Sequence, residues 1–189
     1  MNFKCYDVVE IQGKRYVVTE VISYQEFIIE KTVNYTLNDE MYNNELGTHK
    51  GAKNWTEYGL MPVDGEDKKW LTIVNGEKDY CTFSETILRS TPPKGYKLYD
   101  KGLQRVMSVK GESKARSGDK ADYKEYRTIK NDKTYVFFME DWHGGLKDQA
   151  QGERIRLSDV HRRRDQDAQA ASKKIRNAAR RKEWTRLGL

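Results

Sequence analysis

Two glutamates stand at matching places in two similar tetrads. Glu57 belongs to Trp55-Thr56-Glu57-Tyr58, and Glu125 belongs to Tyr123-Lys124-Glu125-Tyr126. Two carboxylates that face each other can act as general acid and base, or they can hold a divalent cation. On a strand, however, each glutamate shares a face with the aromatic residue two positions before it, so a structural bond to a turn or a lysine is the preferred interpretation. We therefore predict no catalytic residues.

Other residue types that carry chemistry are scattered. His49, His143 and His161 do not form a metal-ligand set, although His143 lies in a turn, Asp141 to Gly145, of a kind that often carries function. The chain has no Gly-rich phosphate loop and no Gly-x-Ser-x-Gly elbow. Its two cysteines are far apart in sequence, which is typical of reduced, buried thiols. The sequence predicts no metal, no cofactor and no enzyme.

The two tetrads introduce an internal repeat. The first is followed by a polar turn and Trp70 to Val74, and the second by a polar turn and Tyr135 to Met139. Each copy predicts a hairpin with an aromatic first strand and a more apolar return strand. Two copies of roughly 70 residues are too few to stack as a solenoid, so we predict duplication of one β-rich unit.

At these residues the chain resembles an uncharacterised bacterial domain-of-unknown-function family. Its members show Trp-x-Glu-Tyr followed by Trp-Leu, then Val-x-Gly-Glu and Tyr-x-x-Tyr in a second half. The matching stretches here are Trp55 to Tyr58, Trp70-Leu71, Val109 to Glu112 and Tyr123 to Tyr126, although Gly59-Leu60 stands where the family tends to have two leucines. The resemblance covers most of residues 3 to 157 and implies a domain, with no known activity.

Aromatic residues of the two copies form the candidate binding surface. In a cleft between the halves they would stack on a ligand or a partner, but aromatic residues at strand spacing more often build the core. We call this set the aromatic seam, and it consists of Trp55, Glu57, Tyr58, Trp70, Tyr123, Glu125, Tyr126 and Tyr135.

Positive charge is concentrated at the C-terminal end. Residues 1–152 contain 23 Lys and Arg against 24 Asp and Glu, whereas residues 153–189 contain 12 against 5. A neutral body with a basic appendage suggests an electrostatic contact made by the appendage alone. No apolar run is long enough to cross a bilayer and no signal-peptide core is present, which predicts a cytoplasmic protein.

Basic residues of the appendage define a second candidate site, for nucleic acid. Ser158 is the predicted N-cap of a long helix that runs towards Leu187 without Pro or Gly. Its weak apolar stripe predicts partial detachment from the body. The candidate phosphate contacts are Arg162, Arg163, Arg164, Lys173, Lys174, Arg176, Arg180, Arg181, Lys182 and Arg186.

The remaining pattern predicts a mainly β protein, either a sandwich or a pair of partly open barrels, with a basic C-terminal helix. The predicted units are residues 1–91, 92–157 and 158–189, with residues 38–53 as a long loop and separate strands near 96–100 and 104–110. We expect a non-enzymatic binding or assembly module that meets another protein through the aromatic seam. The alternative is a nucleic-acid-binding accessory protein that uses the helix.

Overall fold

The chain folds mainly into strands. A computed structural model describes the backbone of residues 1–37, 40–48 and 53–186, and the side chains of residues 1–27 and 53–181. The elements are β1 (Val8–Ile11), β2 (Lys14–Glu26), β3 (Ile28–Leu37), β4 (Glu40–Thr48), β5 (Asn54–Pro62), β6 (Lys69–Val74), β7 (Tyr80–Thr86), β8 (Lys97–Gly111), β9 (Lys120–Lys130), β10 (Lys133–Trp142), β11 (Lys147–Arg156), a 3-10 turn (Leu157–Asp159), β12 (Val160–Arg163) and α1 (Gln166–Arg186).

Within the described residues, ten strands form one antiparallel sheet and β3 pairs with β4 in a separate hairpin. The sheet runs in the order β12, β1, β2, β5, β6, β7, β11, β10, β9, β8. An additional pairing of β8 with β2 closes eight of these strands into a barrel. The predicted mainly β class is confirmed, but in place of a sandwich or a pair of partly open barrels the strands form one closed barrel, and strands from residues 1–91 and 92–157 share the same sheet.

Strand β2 changes its partner halfway along its length. Lys14 to Val17 pair with β1, whereas Glu20 to Glu26 pair with β8. The change falls at Thr19, where a register shift between Val18 and Glu20 marks a bulge, and the Thr19 hydroxyl donates to the Gly59 carbonyl oxygen at 3.2 Å. A bulge bends its strand and strengthens the local twist. This bend lets one strand belong to the barrel and to the β1–β12 extension.

The shared wall of the sheet carries two different faces. Tyr58, Leu60 and Leu71 on one face join residues of β1 and β12 in a buried apolar core. Their neighbours Glu57 and Thr72 pair with each other in register on the opposite face, which lines the inside of the barrel. The largest apolar core therefore lies outside the barrel, and the barrel interior is free to be polar.

Turn chemistry fixes two of the hairpins. Gln12 and Gly13 both have positive φ, and so do Asn131 and Asp132. Two successive positive φ angles are the mark of the type I′ turn, whose twist matches that of paired strands. The predicted hairpins of both tetrads form, as β5–β6 and β9–β10.

Three sequence predictions require correction. Glu40–Thr48, expected in a loop, is strand β4, because the backbone ladder with β3 outweighs its polar composition. The segments expected around 96–100 and 104–110 form one long strand, β8. Residues 38, 39 and 49–52 of the predicted loop, among them His49, lie outside the described residues.

The third correction concerns the start of the helix. Val160–Arg163 is a strand rather than helix, since Val160 is buried in the apolar core and pairs with Ile11. The helix begins at Gln166, and its cap is Asp165 instead of Ser158: Asp165 Oδ1 accepts from the Ala168 amide at 3.0 Å. The burial of Val160 and the better cap at Asp165 together determine where the helix begins.

A glycine at the end of β8 tests the change of partner in β2. A Cβ added at Gly111, where φ is +92°, would lie 2.1 Å from the Thr19 carbonyl oxygen. We expect Gly111→Ala to lower the free energy of unfolding by about 3 kcal/mol or more, because it adds a backbone clash to a strained φ.

Gly118→Ala is the matched control. Gly118 also has a positive φ, +96°, but an added Cβ meets nothing within 4 Å. We expect Gly118→Ala to lower the free energy of unfolding by roughly 1–2 kcal/mol, from the backbone conformation alone. Equal losses for the two variants in urea unfolding would contradict the close approach of β8 to the bulge.

Candidate functional site

A cavity of about 760 Å³ opens into the barrel. Inward-facing residues of β2, β5, β6, β7, β10 and β11 form its wall, and the segments around 112–120 and 143–146 form its rim. The volume lies within the range of small-molecule sites in proteins. Because eight strands enclose it, its shape depends on the sheet more than on any loop.

Two glutamates, which we call the acid pair, lie deep in this cavity. Glu57 Oε1 accepts a hydrogen bond from the Thr72 hydroxyl at 3.3 Å, and the Tyr24 hydroxyl also bonds to Glu57. Glu140 Oε1 accepts from Gln104 Nε2 at 2.7 Å. Neutral donors therefore hold both carboxyl groups.

Burial dominates the electrostatics of the acid pair. It raises the pKa of Glu57 to about 8, a rise that the charge of Glu140 increases and that hydrogen bonds from Tyr24 and Thr72 oppose. Burial likewise raises the pKa of Glu140 to about 7, with the Gln104 hydrogen bond opposing the rise and the charge of Asp148 adding to it. Near neutral pH the acid pair therefore retains a proton that ordinary carboxyl groups have lost.

Aromatic rings surround the acid pair. Tyr24 stacks on Trp55 with centroids 5.6 Å apart and lies 6.5 Å from the ring of Trp142. Burial, followed by the charge of Glu57, raises the pKa of Tyr24 well above its usual range, so its hydroxyl stays a donor. The buried indole N–H of Trp142 has no well-aligned acceptor, but it lies close enough to the Glu140 carboxyl to oppose the rise in the pKa of that group. Trp142 is therefore part of the polar surroundings of the acid pair.

A lysine and a third glutamate occupy another part of the wall. Lys68 forms an ion pair with Glu20, which is 2% exposed, and its ammonium group lies 4.3 Å from the Trp70 ring centroid. Burial lowers the pKa of Lys68 to about 8, against a smaller opposite effect of Glu112. Gly59 makes room for the pair, because a Cβ there would lie 2.5 Å from Glu20 Cγ.

The aromatic seam is divided between the two faces of the sheet. Glu57 and Trp70 line the cavity. Trp55 stacks on Tyr24, which also lines it. Tyr58 belongs to the apolar core, where its ring meets Phe3 edge-on at 5.3 Å. Glu57 and Glu125, the alternative facing pair of the two tetrads, do not form a shared site, because Glu125 forms an ion pair with Arg127 and the carboxyl that acts on Glu57 is that of Glu140.

The second tetrad lies on β9. The Tyr123 hydroxyl is 3.3 Å from both Glu26 Oε1 and Asp100 Oδ2, and Trp55 packs edge-on against its ring. Tyr126 packs against Phe137 with centroids 6.3 Å apart, and Tyr135 pairs in register with Glu153. His143 lies at the cavity rim, where Nε2 is 3.2 Å from Asp122 Oδ2.

The basic residues of the C-terminal segment have different surroundings. Arg162 pairs with Asp7 at 3.1 Å and Arg163 with Glu10 at 3.3 Å, while Arg176 lies over the Tyr6 ring at 4.7 Å. The helix packs on β1 and β2 through Ala168 and Ala171. Exposed basic side chains are Arg164, Lys173, Lys174, Arg180 and Arg181, whereas those of Lys182 and Arg186 lie outside the described side chains.

Sequence reasoning missed Glu140 and Trp142. Both follow the apolar run of β10 and alternate with Phe138 on the inward face. The run Phe138-x-Glu140-x-Trp142 has the period of one strand face, so it carried a signal for a glutamate between two buried aromatic rings. The signal was missed because Trp142 falls within the segment Asp141 to Gly145, which the sequence analysis interprets as a turn.

Comparison with known proteins gives a family. A model of a domain of unknown function, DUF4178, matches residues 6–157, which span the barrel and most of the apolar core. No curated protein and no solved structure matches the chain. In the described residues no helix is long and apolar enough to cross a membrane.

The raised pKa values of the acid pair make stability depend on pH. A buried carboxyl with a raised pKa contributes stability that is complete below about pH 4.5 and is lost as the pH rises through its folded value, about 8 for Glu57. We expect the melting temperature to fall between pH 5 and 8.5. Glu57→Gln should flatten this fall. At pH 8.5 its free energy of unfolding should exceed that of the parent by about 2 kcal/mol, which raises the melting temperature by roughly 4–8 °C.

Glu66→Gln, at an exposed position in the loop before β6, serves as the control and should leave the pH profile unchanged. Thermal unfolding followed by circular dichroism at several pH values measures all three proteins. Parallel profiles of the parent and Glu57→Gln would contradict the burial of an ionisable Glu57.

Proposed function

The chain belongs to the DUF4178 family, and we propose that it is a non-enzymatic binding module that holds a small molecule inside its barrel. The observation that carries this proposal is the cavity of about 760 Å³, whose wall combines aromatic rings with a few fixed polar groups. Such a combination is the usual composition of a ligand site.

The placement of the apolar core supports this proposal. Barrels of eight strands commonly fill their interior with side chains or hold one small ligand. Here Leu60, Leu71 and Tyr58 stabilise the sheet from its outer face, so the interior does not have to be packed for the fold to hold. A cavity is then compatible with a stable domain.

A binding role fits the acid pair better than catalysis does. Glu57 and Glu140 are held by neutral protein donors, Thr72 and Gln104, which position the carboxyl groups without activating a nucleophile. The Cys81 thiol belongs to the apolar core, and burial raises its pKa to about 12. It therefore contributes no thiolate to the cavity.

The predicted duplication and the predicted protein partner belong to the same proposal. Glu57 pairs with Thr72 on the inward face while Glu125 pairs with the inward Phe138, so the two tetrads have the same orientation in their hairpins. The protein partner is proposed, as predicted from the sequence, for the aromatic seam, of which Glu57 and Trp70 line the cavity.

Filling the cavity tests the proposal. Ala150 lines the cavity, and its neighbour Gln151 does not. We expect the neutral dye Nile red to bind the parent at one saturable site, and Ala150→Trp to weaken this binding at least about tenfold because the indole occupies the ligand volume. Fluorescence titration measures the affinity.

Gln151→Trp adds the same ring from the same strand outside the cavity and should bind like the parent. Circular dichroism checks that both variants fold. Saturable binding that survives Ala150→Trp, or no saturable binding to the parent, would contradict a ligand site in the barrel.

A second candidate function is nucleic-acid binding through α1. The observation that favours it is the packing of Ala168 and Ala171 on the body, which leaves Lys173, Lys174 and Arg180 exposed. A helix whose apolar side is occupied and whose basic side is exposed can follow a phosphate backbone.

Charge reversal separates this candidate from a passive surface. We expect the double variant Lys173→Glu/Lys174→Glu to weaken RNA or DNA binding at least tenfold and to reduce its salt dependence, because two phosphate contacts are lost. Lys94→Glu/Lys130→Glu, at exposed positions in the segment before β8 and on β9, is the control. Equal effects of the two double variants in fluorescence anisotropy would show a general charge effect and no site on α1.

A further inference from the structure

We propose that the cavity takes an organic cation, an ammonium group on an apolar body, and that the ammonium group pairs with the carboxyl groups of Glu57 and Glu140. This inference rests on the proposed function and names the chemical class of its ligand. It is carried by the position of the acid pair inside the aromatic cavity.

The first argument is the charge of the lining. Carboxyl groups outnumber amines there, and Glu20 already pairs with Lys68. Lys120, at the rim, lies over the Phe27 ring at 5.0 Å. Around the acid pair stand the carboxyl groups of Asp148, Glu112 and Asp119, the hydroxyl of Tyr24, the amines of Lys68, Lys114 and Lys120, and the imidazole of His143. A net acidic enclosure favours a cation and disfavours an anion.

The second argument is the surface around these carboxyl groups. Tyr24, Trp70, Phe138 and Trp142 present aromatic rings to the same space. Ring faces attract a cation, and the attraction grows when water is excluded. The same rings bury an apolar body, so one ligand with both parts satisfies the wall.

The third argument separates an organic cation from a metal ion. Among the described residues, no group of three His, Cys, Asp or Glu side chains comes together as a metal site. A divalent ion needs six or more oxygen ligands or a compact tetrahedral set. A single ammonium group needs fewer acceptors, and the acid pair offers them.

Binding then exchanges one cation for one proton. The neutral carboxyl group releases H⁺, the carboxylate pairs with the ammonium group, and no covalent bond to carbon changes. Because burial raises the pKa values of both glutamates, this proton is present near pH 7. Affinity should rise by up to about tenfold per pH unit for each proton released, and it should level off above about pH 8, where Glu57 has already lost its proton in the free protein.

Three probes of similar shape test the inference on the full chain. They are phenethylamine as the cation, phenethyl alcohol as its neutral counterpart and hydrocinnamate as the anion. We expect isothermal titration calorimetry at pH 8 to give at least tenfold tighter binding of the amine than of the alcohol, and weaker binding still of the anion. Buffers of different ionisation enthalpy measure the released proton.

Glu57→Gln and Glu140→Gln provide the variants. Each should weaken amine binding at least tenfold relative to alcohol binding and reduce proton release, and circular dichroism checks that each variant folds. Equal binding of the amine and the alcohol, tighter binding of the anion, or affinity independent of pH would overturn the inference. Nile red binding without amine binding also overturns it and leaves the proposed function standing, whereas failure of both probes removes both.

Discussion

The fold depends on the bend in β2 at Thr19. Before it the strand pairs with β1, and after it the strand pairs with β8, while β5 follows the other edge on both sides of the bulge. The carbonyl oxygen of Thr19 receives the Glu112 amide at 3.3 Å, so the end of β8 is fixed at the bend itself. Without the bend, β8 would have no edge to join and the sheet would stay open. The closing pair of strands is separated by about 90 residues of chain, and such long-range pairing relies on a geometry fixed in advance.

The bend also determines which face of the sheet carries the apolar core and which face lines the cavity. Because β1 and β12 are attached on one side of it, the apolar residues of β5 and β6 find their partners outside the barrel, in Val9, Ile11 and Val160. The inward face therefore does not have to carry the largest apolar core. Buried polar groups are tolerated there because each acid has neutral donors, as Glu57 has Thr72 and Glu140 has Gln104. A polar interior is costly in a domain with a single core, and here a second core on the other face compensates for it.

Much of the β structure could be predicted from the sequence, since strands near the tetrads alternate and their turns have clear signals, as Gln12-Gly13 does. The closure of the barrel could not be predicted, because no local feature of the β8 sequence indicates that this strand pairs with β2. Strand β12 was hidden for a related reason: Val160 sits among residues that favour a helix, and its burial against Ile11 is a tertiary effect. In the site, Glu57 could be named as a candidate, and the matching tetrads suggested Glu125 as the carboxyl that would face it. Strands β6, β7 and β11 lie between β5 and β10, so Glu140 acts on Glu57 across the interior only because the barrel closes.

The acid pair gives a physical reason to separate stability from binding in this protein. A domain selected for stability alone would gain from replacing one of two buried, mutually repelling carboxyl groups by a neutral residue. Tyr24, Thr72 and Gln104 instead supply donors that lower the cost of ionising the acid pair without removing it. Ionising the acid pair therefore costs free energy in the protein alone, and under the cation proposal an ammonium group would offset this cost on binding. A neutral occupant would not, which is the physical basis of the proposed selectivity.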